Sequence, residues 1–183
     1  ILFIPLMAEI NGLLTLWLGK VPPYTSVFCV ALLISFLADQ ITSGLNTANQ
    51  AIGNIRNYSL LMYTRKLLLI PMALLLLYLD YGPTGVMFLF VAIELLVALI
   101  RLPYMHHVSG LDMKHYIRTV LGRNSLLIIF MAAVSLSLKH TSTSAYRFFY
   151  SIPIAYIAGI VFAWAVVLTS KERKKIKTSI TSK

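Results

Sequence analysis

The chain is poor in charge, in acid and in cysteine. Only 12% of its 183 residues are charged and 58% are apolar, whereas soluble domains run near 25% charged and 45–50% apolar. A water-soluble fold of this composition would expose wide apolar patches, so lipid is the solvent that suits it. One cysteine, Cys29, sits inside an apolar run, which excludes a disulfide framework and a cysteine-rich metal site. His106, His107, His115 and His140 fall in connections without metal-ligand spacing, and no cysteine or carboxylate cluster completes a site. There is no Ser/His/Asp set, glycine-rich phosphate loop or paired-carboxylate site. No metal, no cofactor and no enzymatic role are expected. The few acids leave a net charge of +10. The bases lie in short connections rather than in a stripe, so membrane lipids, not nucleic acid, are the expected surroundings.

What remains is a set of long apolar stretches. About 20 apolar residues in a helix cross a bilayer core of about 30 Å. The runs predict an all-α, polytopic transmembrane bundle of about six helices, at 1–18, 25–46, 60–79, 84–104, 124–140 and 150–170, followed by a basic cytoplasmic tail at 171–183. The opening Ile1-Leu2-Phe3-Ile4-Pro5 has neither an initiating Met nor a basic n-region. The first segment is therefore expected to be cut from a longer helix.

The connections are brief, and Asp80-Tyr81-Gly82-Pro83 has the composition of a tight turn. With the 46–66 connection in the cytoplasm, that side receives thirteen Lys and Arg residues and the other side three. The positive-inside rule then puts the C-terminus in the cytoplasm. Trp17, Tyr24, Tyr78, Tyr81, Tyr146, Phe149 and Tyr150 mark outer interfaces; Tyr58, Tyr104 and Tyr116 mark inner ones. In 109–123, Leu111, Tyr116, Ile117, Val120 and Leu121 oppose Asp112, Lys114, His115, Arg118 and Thr119. That pattern predicts a short amphipathic helix on the cytoplasmic surface.

Charges within the spans carry the functional signal, because each costs about 2.5–3.5 kcal/mol at a helix centre and such residues face a partner or a wet cavity. Glu94 lies near the middle of its segment and Asp39 about two turns from the cytoplasmic end of its own. Both are candidates for ion coupling, or for polar contacts that only orient packing. Glu9 is a weaker candidate of the same kind. Arg65 and Lys66, about two turns inside the cytoplasmic boundary, either snorkel to the interface or form a basic cavity wall that pairs with an anionic headgroup such as a pyrophosphate. Arg101, at the end of its segment, reads as an anchor. Segment two ends in Gln40, Thr42, Ser43, Asn46, Thr47, Asn49 and Gln50, a density of amides and hydroxyls that suits a wet lining or interhelical glue. Asn46 and Asn49 are its candidate substrate contacts.

Several short pieces, in order, resemble the polysaccharide (O-antigen type) flippases of the multidrug/oligosaccharidyl-lipid/polysaccharide exporter superfamily. They are Leu16-Trp17-Leu18-Gly19, Val21-Pro22-Pro23-Tyr24-Thr25, the stretch from Ala48 through Gly53 to Tyr58, Leu69-Ile70-Pro71, Tyr81-Gly82-Pro83, and Arg101 closing the fourth segment. The resemblance implies the C-terminal half of a two-bundle transporter whose N-terminal bundle is missing from this sequence. It implies flipping of an isoprenoid-diphosphate-linked oligosaccharide across the bacterial inner membrane, for surface polysaccharide export, by alternating access. The anionic cargo fits Arg65 and Lys66. A drug or cation exporter of the same superfamily is the nearest alternative. A membrane acyltransferase or polymerase is less favoured, since no histidine lies at membrane depth and no outer loop is long.

Overall fold

A computed structural model of the chain describes residues 1–53, 55–141, 146–168 and 173, except the side chains of Leu61 and Arg65. The basic tail expected at 171–183 lies, apart from Arg173, outside the described residues. The described chain is helical, with no strand among those residues. Among the described residues, five helices are long and apolar enough to cross a membrane: Thr25–Ile52, Ile55–Tyr78, Gly82–Ser109, Met113–Thr141 and Phe148–Val167. The chain divides into two compact units, one of Leu14–Tyr116 and one of Ile1–Leu13 with Ile117–Lys183.

In the first of these units, α3 (Thr25–Ile52) packs most extensively against α6 (Gly82–Ser109). The face that α3 buries is Ala31, Ser35, Thr42, Leu45 and Asn49, spaced as one stripe of a helix. Small residues on that stripe let two backbones approach. Ser35 and Thr42 return their hydroxyls to the carbonyls of Ala31 and Ala38, so neither leaves a naked donor in an apolar contact. The opposing stripe of α6 is Val97, Ala98, Arg101, Leu102 and Met105. Helix α4 (Ile55–Leu67) adds Tyr58 and Met62 against Val97. Helix α5 (Leu69–Tyr78) buries no residue at all, and Ile70, Leu74 and Leu75 are each more than half exposed. An all-apolar helix without a buried face needs an apolar surround. The interruption at Leu68, between α4 and α5, follows from Pro71: it has no N–H for the Leu67 carbonyl one turn back.

The ends of these helices follow from sequence chemistry. Gly53 (φ +85°) and Gly110 (φ +67°) close α3 and α6 in the left-handed conformation that costs a glycine nothing. Tyr116, in the short α7 (Met113–Tyr116), donates its hydroxyl to the Ile41 carbonyl of α3 at 3.4 Å.

The other unit packs α1 (Phe3–Ala8) on α8 (Gly122–Thr141) and α9 (Phe148–Phe162). Its core is Ile4, Met131 and Ala155, with Phe130 stacked on Phe162 at a centroid distance of 4.1 Å.

Segments two to six coincide with the five spanning-length helices among the described residues, with shifted edges, and segment one does not reach that length. Segments two and four run on past their apolar stretches, to Ile52 and Ser109, because helical hydrogen bonding continues through polar residues until a glycine stops it. Segment three starts earlier, at Ile55. Segment one is two short helices, α1 and α2 (Ile10–Leu18), separated at Glu9. The amphipathic stretch is not an isolated surface helix. Helical conformation runs from Met113 through a π-helical stretch at Ile117–Leu121 into α8.

Candidate functional site

Helices α3, α4 and α6 enclose a cavity of about 220 Å³ whose polar lining includes Asp39, Asn46, Asn49, Gln50, Tyr58, Ser59, Lys66 and Arg101. The α3 contribution follows from spacing: Asp39, Thr42, Asn46 and Asn49 are three, four and three residues apart, which keeps them on one face. On α6, Glu94 and Arg101 are seven residues apart, again one face.

Two ion pairs organise the site. Arg101 Nη2 lies 2.6 Å from Asp39 Oδ1, and Arg101 Nη1 donates to Thr42 Oγ1 at 2.7 Å. Lys66 Nζ lies 3.0 Å from Glu94 Oε1. The two pairs are seated in opposite senses. In the first the base is buried and the acid open: the side chains are 9% and 45% exposed. In the second the acid is buried, at 11%, and the base open, at 43%. Such pairing is how charge is tolerated within long apolar helices.

Donors are left over. Arg101 Nε and the Tyr58 hydroxyl are buried and have no hydrogen-bond partner among the described residues. The Tyr58 hydroxyl lies beside the Arg101 guanidinium, close enough to interact with it. Its ring packs at 5.3 Å against Tyr104, whose hydroxyl is likewise buried and unbonded. Unsatisfied buried donors cost about 1–3 kcal/mol each, so a cluster of them beside a cavity is poised for an acceptor.

The structure thus brings Asp39, Asn46, Asn49 and Lys66 to one cavity, with Glu94 bound to Lys66 behind it. The side chain of Arg65 lies outside the described residues. Arg101 is the correction. It is not an end-of-helix anchor but a buried guanidinium eight residues inside α6, about 12 Å from the helix end at 1.5 Å per residue. Its seven-residue offset from Glu94 was the available signal. Tyr58, expected only to mark an interface, lines the same cavity. No family model, curated protein or solved structure matches the chain.

A second charged contact lies in the other unit. Glu9, 3% exposed at the break between α1 and α2, accepts from Arg147 Nε at 2.9 and 3.1 Å through its two oxygens. Arg147 also donates to the Lys139 carbonyl at 3.3 Å. The Glu9 carboxylate raises the pKa of the guanidinium further above its ordinary value. This contact joins the start of α9 to the first segment.

Proposed function

We propose that this chain is the bundle of a membrane transporter that holds an anionic lipid headgroup, and that its cargo is an isoprenoid-diphosphate-linked oligosaccharide moved across the bacterial inner membrane. The observation that supports it is the buried Arg101 guanidinium facing a polar cavity among helices apolar enough to span a bilayer. A planar fork of donors pairs with phosphate oxygens better than a point charge does. Lys66 and the Asn46, Asn49 and Gln50 amides supply further donors. At about 220 Å³ the cavity is smaller than the ~300–1,000 Å³ of drug-sized pockets. It suits a headgroup, with the sugar chain held outside it.

In this reading the bundle rocks against a second one, with the C-terminus in the cytoplasm as the thirteen-to-three split of bases favours. Asp39 and Glu94 exchange partners as the headgroup arrives and leaves, which is where an ion gradient couples. The test is a strain lacking the gene. Lipid-linked oligosaccharide accumulates on the cytoplasmic leaflet, the intact gene clears it, and Arg101→Lys, which keeps the charge and loses the fork, does not. Normal export in that strain, with new sensitivity to cationic drugs, overturns the reading in favour of a cation exporter.

A further inference from the structure

We infer that Asp39 is a tethered competitor of the anion: its carboxylate occupies the Arg101 guanidinium edge that an incoming diphosphate must take, and the site opens by carboxylate displacement. The inference rests on the anion-carrying reading above. Its starting point is the unequal seating of the two ion pairs. Arg101 is fixed, buried on α6 and held by Thr42 as well as by Asp39. Asp39 is the open member and can swing out into water once an anion takes its place on the buried Arg101 guanidinium. In the second pair the open member is Lys66, while Glu94 is enclosed. An anion in the cavity therefore draws Lys66 toward itself and pushes Asp39 away, with Arg101 and Glu94 staying in place.

The charges balance in the resting state. Asp39, Glu94, Lys66 and Arg101 sum to zero when paired, so the resting cavity offers an anion no net attraction until an acid gives way. The first foothold is already present. Arg101 Nε and the Tyr58 hydroxyl are uncommitted donors on the cavity wall, next to the edge that Asp39 fills. A mono-anion gains little there, since it replaces one carboxylate by another. A diphosphate brings more charge and more acceptor oxygens and can engage Arg101, Lys66 and Tyr58 together. The tethered acid thus discriminates for multiply charged headgroups.

The experiment uses the full chain in nanodiscs of zwitterionic lipid and measures the binding of inorganic pyrophosphate by calorimetry. Replacing the carboxylate by a neutral group removes a charged hydrogen bond that the anion otherwise has to displace, so Asp39→Asn and Asp39→Ser each tighten pyrophosphate binding about ten- to a hundredfold. Arg101→Lys weakens it at least about tenfold. Acetate gains as well in the Asp39 variants, because it no longer has to replace a carboxylate, so the preference for pyrophosphate over acetate narrows in both. Helical content and a monodisperse elution profile are checked for each variant, and two different neutral replacements guard against one failing to fold. If wild type binds pyrophosphate and both neutral variants bind it equally or more weakly, the competitor role falls while the anion site stands. If neither wild type nor any variant binds, the anion site falls too. A second arm adds a polyprenyl diphosphate lipid to the discs. Displacement of pyrophosphate identifies the lipid headgroup as the source of the anion; no displacement assigns the site to a soluble diphosphate and overturns the lipid-linked cargo.

Discussion

Arg101 and Asp39, 2.6 Å apart between α6 and α3, share one contact but not one environment: the guanidinium is enclosed and the carboxylate is nearly half open. Their removal is therefore unequal. Asp39→Ala strands a buried cation, a class of change that costs about 3–5 kcal/mol. Arg101→Met fills the same space with an apolar chain and leaves an acid that is nearly half open and can hydrate, so no buried charge is stranded and the loss is smaller. Reversible unfolding of the two variants in detergent micelles should show Asp39→Ala the less stable by at least about 2 kcal/mol. Equal losses would mean that the contact is symmetrical and that burial does not govern it.

Glu9 and Arg147 set a test of pH dependence. The Glu9 carboxylate raises the Arg147 pKa, and a base whose pKa is raised on folding contributes stability that is lost only as pH climbs through that value. The ordinary arginine value already lies above the working alkaline range, so the contact holds at any alkaline pH used in practice. Arg147→Lys moves the release point down toward the ordinary lysine value of about 10.4. Thermal unfolding between pH 8 and about 11 should be flat for this contact in wild type and fall in the variant. A parallel decline in both proteins would remove Arg147 as the stabilising partner.

Much of this was legible in the residues. The apolar runs gave the spans, because lipid demands length and hydropathy and little else. The gathering of Asp39, Asn46, Asn49 and Lys66 around one cavity is half visible in sequence, where depth or polarity marks each residue but nothing shows the shared face. Hydropathy stops at Tyr104 and makes Arg101 look terminal, while the helix continues through Pro103 to Ser109. A proline there costs one hydrogen bond, to the Leu99 carbonyl, without ending the helix. The Arg101–Asp39 partnership joins residues 62 positions apart in sequence, and no local pattern specifies which acid a base will meet. The break at Glu9 was equally hidden, since segment one is apolar on both sides of it.

Asp80 offers a test of the turn that composition did predict. It adopts φ +59° at the end of α5. Its N–H reaches the Leu77 carbonyl and that of Tyr81 reaches Leu76, the paired bonds of a Schellman closure. Aspartate tolerates that conformation better than most residues. Asp80→Gly should leave stability unchanged or raise it, and Asp80→Val should lower it by about 1–2 kcal/mol. The check is urea- or SDS-induced unfolding of the purified variants. A valine variant as stable as wild type would show that the closure does not constrain this connection.

Gly159 tests the packing of α9 on α8. A methyl group added there would overlap the Met131 sulfur, and Met131 is fully enclosed. Overpacking of this kind costs about 1–3 kcal/mol, moderated because a thioether can rotate away if it has room. Gly159→Ala should therefore lose about 1 kcal/mol and Gly159→Val about 3. Shortening the opposing side chain restores the space, so Met131→Ala combined with Gly159→Val should be more stable than the sum of the two single losses, by about 0.5–3 kcal/mol of coupling. A strictly additive double variant would mean that the two positions do not touch and that the α8–α9 contact is looser than the Ile4, Met131 and Ala155 core implies.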